Sequence, residues 1–243
     1  MVFAILAAGE GSRLAQEGLE VPKPLLKING QIMIERLVGI FMRNRAEKIV
    51  VIANNIHPQT HTYLNELINK GIPIELVVKT TPSSMHSFYE IHRKIGQRKF
   101  CLTTVDTIFR EEEFGNFIST FESSDDDGLM AVTDFIDDEK PLYIAHDKNW
   151  MITGFYDSLS QYDAKQNMSK HNSVCDVISG GVYCLDATSF PVLEKCIENG
   201  MSRMRNFQRQ LIAEGLKIRA HKFSKILDVD HVDDIAKAEE FLS

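Results

Sequence analysis

The sequence predicts an α/β fold: a mostly parallel sheet with helices on both faces, and a smaller antiparallel subregion in the second half. Two observations carry this. Over the first part of the chain, short apolar runs at 2–8, 48–53, 74–79 and 100–105 alternate with stretches whose apolar residues recur at helical spacing. After Gly128 that alternation loosens into closely spaced apolar runs without long helices between them.

The first run, Val2 to Ala8, is short and wholly apolar, as expected for a strand buried on both faces. Residues 32–43 read as a helix, with Ile34, Leu37, Val38 and Phe41 on one side. A second strand at 48–53 leads to a helix at 58–70, with Gly71 as its stop. A third strand at 74–79 precedes a helix at 84–95, which turns Met85, Phe88, Ile91 and Ile95 inward, and a fourth strand follows at 100–105. A βαβαβαβ order predicts right-handed crossovers and ligands beyond the carboxyl ends of the strands. Strands are expected at 129–135, 142–145, 151–155 and 177–185, paired antiparallel, with a polar loop at 158–174. Helices at 191–199 and 204–214, a strand at 217–223 and a closing helix at 232–242 complete the chain. No linker, repeat or low-complexity block interrupts it, so one domain over 1–243 is expected.

Net charge is −7. That disfavours a nucleic-acid partner on bulk electrostatics and still allows a local basic pocket. The first apolar run is too short to cross a bilayer and carries no basic leader, so no membrane partner is expected. Cys101, Cys175, Cys184 and Cys196 lack metal-ligand spacing and read as reduced and mostly buried, which suits a cytoplasmic enzyme.

The chemistry concentrates where the first strand ends. Gly9 and Gly11 let the backbone turn and approach a ligand without a Cβ in the way. Arg13 supplies a fork of donors suited to phosphate oxygens. Pro22 and Pro24 hold Lys23 on a restricted, extended segment. Together these describe a polyanion site, best filled by a nucleoside triphosphate. The Gly-Lys-Ser/Thr of a Walker loop is absent, and Leu14 stands where a dinucleotide fingerprint needs its third glycine. Asp106 ends the fourth strand and could hold Mg²⁺, which takes one or two carboxylates plus phosphate oxygens and water; taken alone it reads more readily as a helix N-cap or turn aspartate. Ser83 and Ser84 face either a base or phosphate, or simply cap the helix after them. Gly180 and Gly181 inside a strand suggest a bulge or a close backbone approach. His57 and His61 read as solvated helix residues, Trp150 as strand-edge packing, and Glu111–Glu113 and Asp125–Asp127 as solvated surface.

Leu6-Ala7-Ala8-Gly9-Glu10-Gly11-Ser12-Arg13-Leu14 followed by Pro22-Lys23-Pro24-Leu25 resembles the signature of the sugar nucleotidyltransferases, whose sheet is Rossmann-like. The resemblance implies that Leu6, Ala7, Ala8, Gly9, Gly11, Ser12 and Arg13 wrap the nucleotide, with Ser83 and Ser84 near its base. It implies catalytic roles for Arg13, Lys23 and Asp106. Asp106 would bind the metal, although Val105 replaces the family's usual glycine. Asp230 would complete the metal site with Asp228 close behind, although His231-Val232 replaces the usual Thr-Pro. Ser179-Gly180-Gly181-Val182-Tyr183 resembles the strand that nears the acceptor, so the second half is the acceptor side, with Gly180 and Gly181 in contact. The family's Glu-Lys-Pro is missing; Gly154-Phe155-Tyr156-Asp157 stands there, leaving Lys165, Lys170, His171, Arg203 or Arg205 to bind the acceptor phosphate.

The implied reaction is Mg²⁺-dependent: an NTP and a sugar-1-phosphate-like acceptor give an NDP-sugar or similar product and pyrophosphate. General likeness to small cytidylyltransferases leans to CTP. Two alternatives remain: a metal-dependent glycosyltransferase, because Asp228-Val229-Asp230 also reads as Asp-x-Asp, and a non-catalytic nucleotide-binding protein.

Overall fold

The computed structural model describes residues 1–137, 139–166 and 173–243. The chain runs β1 (Val2–Ala7), α1 (Ser12–Gln16), a 3₁₀ turn (Lys23–Leu25), and a hairpin of β2 (Lys27–Ile28) and β3 (Gln31–Ile32). It continues with α2 (Met33–Arg43), β4 (Lys48–Ala53), α3 (Pro58–Asn69), β5 (Ile74–Val78), α4 (Ser84–Ile95), β6 (Phe100–Thr104) and β7 (Thr107–Ile108). Then come α5 (Glu111–Glu122), β8 (Gly128–Thr133), β9 (Tyr143–His146), β10 (Ile152–Tyr156), α6 (Leu159–Gln166) and β11 (Val174–Leu185). The last elements are α7 (Ser189–Glu198), α8 (Met204–Ala213), β12 (Ile218–Lys222), β13 (Leu227–Asp228) and α9 (Val232–Phe241).

The first half forms the expected parallel sheet. β1 lies between β4 and β6, and β5 adds to β4, all parallel. Every residue of β1 is buried, because both faces are covered. Val2, Ala4 and Leu6 pack with Met85, Phe88 and Ile91 of α4 and with residues of α7 and α8. Phe3, Ile5 and Ala7 pack on the opposite face with α2, α3 and α5. A continuous apolar run is therefore what this position requires.

β11 turns the parallel sheet into the antiparallel one. Its second half pairs with β6, its first half with β9, and β8 runs along its other edge, all antiparallel. The register with β8 shifts between Ser179 and Tyr183, and Gly181 sits there at φ +72°. This bulge bends the strand at the position where two glycines stand. β12, a strand whose pairing the sequence left open, joins β8 parallel, because it returns to the sheet after the α7–α8 crossover.

Two helices depart from the sequence expectation. Glu111 and Glu112 are exposed, as expected, but with Glu113 they fill the first turn of a helix the sequence reading missed, α5, where carboxylates suit the helix dipole, and Phe114, Phe117, Ile118 and Phe121 bury the other side. α6 occupies the first part of the stretch expected to be a loop. Asp126 pairs with Arg219 at 2.7 Å and Asp127 accepts the Lys217 amide at 2.7 Å, so this acidic run clamps β12 to the start of β8. Trp150, left-handed at φ +64°, stacks on His146 with ring centroids 4.2 Å apart. Cys101, Cys184 and Cys196 are buried free thiols, and Cys175 is half-buried. Among the described residues no helix is long and apolar enough to cross a membrane.

Candidate active site

The carboxyl ends of β1 and β6 and the connection from β5 to α4 enclose a cavity of about 600 Å³. Leu6, Ala8, Gly9, Gly11, Ser12, Arg13, Ser83 and Ser84 line it, as do Lys23, Asp106 and Asp230. Ala7 does not; strand alternation turns its side chain into the core on the other face. Gly11 starts α1 at φ +65°, and a Cβ there would stand 3.3 Å from Lys23 Cβ. Both its backbone and its contact with Lys23 therefore call for glycine.

A residue that sequence reasoning passed over fixes the glycine loop from behind. Asn54, buried after β4, donates from Nδ2 to the Gly9 carbonyl at 2.9 Å and accepts the amides of Ile56 and His57 on Oδ1. His57 donates to the Glu10 carbonyl at 3.4 Å, and His61 to the Asn54 carbonyl at 2.6 Å. The two histidines are half-buried loop supports, not solvated helix residues. The only sequence signal was a polar residue just after an apolar strand. Ser83 accepts the His86 amide at 3.3 Å and so caps α4, while also facing the cavity.

At the floor of the cavity lies a charge cluster. Lys23 Nζ donates to Asp106 Oδ2 and, at 2.7 Å, to Asp230 Oδ1. Arg13 donates to the other Asp230 oxygen at 3.0 Å. Lys23 sits on a single 3₁₀ turn, not the extended segment expected, with Pro22 before it and Pro24 inside the turn. Burial alone would lower its pKa, but Asp106 and Asp230 outweigh that and raise it, keeping the ammonium charged.

The carboxylates come from distant parts of the chain and meet through a small ribbon. β7 and β13 pair antiparallel, Ile108 against Leu227 and Thr107 against Asp228, and the Val229 amide donates to the Asp106 carbonyl at 3.1 Å. Asp234 accepts the amides of Asp230 and His231 at 3.1 and 2.8 Å, closing the turn into α9. Glu17, at the end of α1, accepts the Val232 amide at 2.7 Å and pairs with His231 at 2.6 Å. The His231-Val232 that replaces Thr-Pro is thus the point where the glycine-loop helix is tied to the acidic turn.

Asp228 is placed differently from Asp106 and Asp230. It lies outside the Lys23-bridged pair and lines a second cavity of about 420 Å³. Enclosure by the surrounding protein, then the charges of Asp106 and Asp230, push its carboxyl above the ordinary range. The residue is nevertheless open to the water of the cleft, which limits how far that shift goes.

The second cavity shares Arg13 and Asp230 with the first. Gly180 lines it, and a Cβ there would fall 2.2 Å from Ile226 Cδ1 and 3.2 Å from the Ala131 carbonyl oxygen, so a larger residue would have to push the isoleucine aside. Gly181 makes the bulge and does not line the cavity. Of the proposed cations, Arg205 lines this cavity, held by Asp157 at 2.5 Å and donating to the Lys140 carbonyl at 3.0 Å. Lys165 and Arg203 line neither cavity, and Lys170 and His171 lie outside the described residues. Lys140 and Lys237 line it too and had no distinguishing sequence signal.

The oxygen donors suit a hard divalent cation. Asp106 Oδ1 is buried without a hydrogen-bond partner, and Asp230 converges on the same ammonium. Among the described residues no three His, Cys, Asp or Glu side chains gather to hold a metal on protein ligands alone. Two carboxylates fit a cation that draws its other ligands from phosphate and water.

Residues 3–213 match the model of the MobA-like NTP transferase domain. The chain belongs to that family. It is 24% identical to a "Bifunctional IPC transferase and DIPP synthase" of Thermococcus kodakarensis over 98% of this chain and 50% of that protein. It is 27% identical to a 2-aminoethylphosphonate cytidylyltransferase of Lancefieldella rimae over 44% of each. The matches thus span about half the length of these curated relatives, or less. Among solved structures it resembles the inositol-1-phosphate CTP transferase of T. maritima (TM-score 0.74, 16% identity, 100% of this chain and 97% of the other). It also resembles a putative glucose-1-phosphate thymidylyltransferase of Bacillus anthracis (TM-score 0.80, 16% identity, 99% and 95%). At that identity the structures establish a shared fold, the Rossmann-like sheet with its antiparallel extension.

Proposed function

We propose that the chain acts as one Mg²⁺-dependent nucleotidyltransferase domain joining an NTP to the phosphate of a small molecule. The observation that carries this reading is the meeting of two cavities at Arg13 and Asp230, with Lys23 and Asp106 beside the junction. An acceptor phosphate oxygen attacks the α-phosphorus, the α–β bridging bond breaks, and pyrophosphate leaves with the electron pair. No side-chain nucleophile is required. Arg13 binds the β and γ phosphates, and Lys23 neutralises charge at the α-phosphate and the attacking oxygen. Asp106 and Asp230 would hold the metal, which when bound supplies Lewis-acid activation and offsets repulsion between the two anions. The walls of the two cavities hold the reactants in line.

The acceptor cavity bears carboxylates (Asp137, Glu139, Asp228) as well as cations (Lys140, Arg205, Lys237). That mixture, with the loss of the Glu-Lys-Pro motif, favours a phosphorylated amino alcohol, which carries a cation beside its phosphate, over a hexose 1-phosphate, whose sugar is uncharged. The names of the cytidylyl- and CTP-transferase relatives favour CTP.

The test is a thermal-shift screen with Mg²⁺ and each common NTP, followed by pyrophosphate release with amino-alcohol phosphates and sugar phosphates. A nucleotide at a hundred times its dissociation constant stabilises by about 2.7 kcal/mol. The expected result is a shift with CTP and pyrophosphate release with one acceptor class. Asp106→Asn should keep the fold and lose turnover; retained turnover overturns the assignment of Asp106. Sugar transfer from an NDP-sugar, with no NTP shift, would establish the glycosyltransferase instead.

A further inference from the structure

The cation between Asp106 and Asp230 is the protein's own. Lys23 Nζ reaches both carboxylates, and its side chain is 10% exposed against 18% for Asp106. Arg13 takes the remaining oxygen of Asp230. Two carboxylates this close repel unless a cation lies between them, and Lys23 satisfies that need. It cannot back away as a unit. Its backbone is fixed in a turn bounded by Pro22 and containing Pro24, and Gly11 packs against its Cβ. Only the end of the chain can swing, and the cavity it faces is the one bordered by the glycine loop and Arg13.

We propose, resting on the nucleotidyltransferase reading, that Lys23 reserves the Asp106–Asp230 pair for a divalent cation that arrives with a triphosphate. A bare cation competes with a tethered ammonium and would leave that ammonium buried without a counter-charge, a costly state. A triphosphate in the same cavity gives Lys23 and Arg13 new anionic partners and so frees both carboxylates. Asp106 Oδ1, buried and unpartnered, is an acceptor the lysine does not use and is available to the incoming cation. Lys23 is then more than a phosphate ligand: it makes metal binding and nucleotide binding mutually dependent, and it discriminates metal–nucleotide from metal alone.

The consequence is a change of opposite sign. Removing Lys23 should weaken nucleotide binding and strengthen the binding of free metal. The experiment titrates Mn²⁺ without nucleotide, reading free Mn²⁺ by electron paramagnetic resonance, into wild type, Lys23→Met and Lys23→Gln. The expected result is binding about tenfold tighter or better in the variants, since the ammonium no longer has to be displaced. Adding Asp106→Asn to Lys23→Met should abolish the gain. Free Mn²⁺ binding as tight in wild type as in the variants overturns the proposal, as does a gain that survives Asp106→Asn. Circular dichroism verifies that each variant is folded, and the glutamine variant retains a donor for the two carboxylates if the methionine variant does not fold. Failure of the underlying function would appear elsewhere, as a wild type that binds no NTP, because the Mn²⁺ comparison contains no nucleotide.

Discussion

Gly11→Ala isolates the physical reason for the glycine loop. At φ +65° an alanine pays strain of about 1–2 kcal/mol. Reduced entropy of the unfolded chain returns about 0.4–1 kcal/mol. The net loss is about 1 kcal/mol, which for a domain of this size lowers Tm by about 2–4 °C. The new methyl also stands 3.3 Å from Lys23 Cβ, so the lysine backbone must give by a few tenths of an ångström, under a side chain that contacts both carboxylates. Gly18→Ala is the matched control: it has φ +93° and no atom within 4 Å of its new methyl. Both variants should therefore melt slightly below wild type, but only Gly11→Ala should lose nucleotide affinity. Melting curves and nucleotide titration on the three proteins decide it. A Gly11→Ala protein as stable as wild type would refute the strain argument. Equal nucleotide affinity in the two variants would refute the role assigned to the Lys23 contact.

Asn54→Ala removes the donor that holds the Gly9 carbonyl and the acceptor of two amides at a position 3% exposed. It should cost about 1–3 kcal/mol in denaturant unfolding and weaken nucleotide binding although Asn54 lines neither cavity; wild-type affinity would show that the loop holds its shape without it. Asp157 anchors Arg205 and Arg209 of α8 to the end of β10. Its partial burial raises the carboxyl pKa, but hydrogen bonds from Arg209 and Arg205 outweigh this and hold it below the ordinary value. A depressed pKa contributes stability above the unfolded value that is lost as pH falls through the folded one. The Tm difference between wild type and Asp157→Asn should thus be present at pH 7 and shrink below about pH 4. At 41% exposure the carboxylate contributes at most about 1 kcal/mol. A difference that grows in acid would contradict this linkage.

The parallel half of the fold was legible because its strands are buried on both faces and its helices carry one apolar stripe, so each announces itself over a few neighbouring residues. The bounds of β4 and α4 agree with their sequence patterns residue for residue. The missed α5 carried the same kind of pattern in Phe114, Phe117, Ile118 and Phe121, but its three leading glutamates drew the reading toward surface. α6 has no such stripe; it is mostly polar, with Leu159, Tyr162 and Ala164 forming no continuous apolar face, so periodicity carries little signal there.

The sequence by itself determined the strands of the parallel half, the glycine loop and the identities of the charged residues around it, because these follow from backbone freedom, local periodicity and side-chain chemistry. What it left open was spatial. That Lys23 lies between Asp106 and Asp230, that Asp228 turns to the second cavity, and that Asn54 and His57 support the loop all depend on the pairing of β7 with β13 and the order of β1, β4 and β6. Those contacts join segments far apart along the chain, and no local pattern encodes which partner a carboxylate or an amide will meet. Only the folded sheet brings their ends to one place.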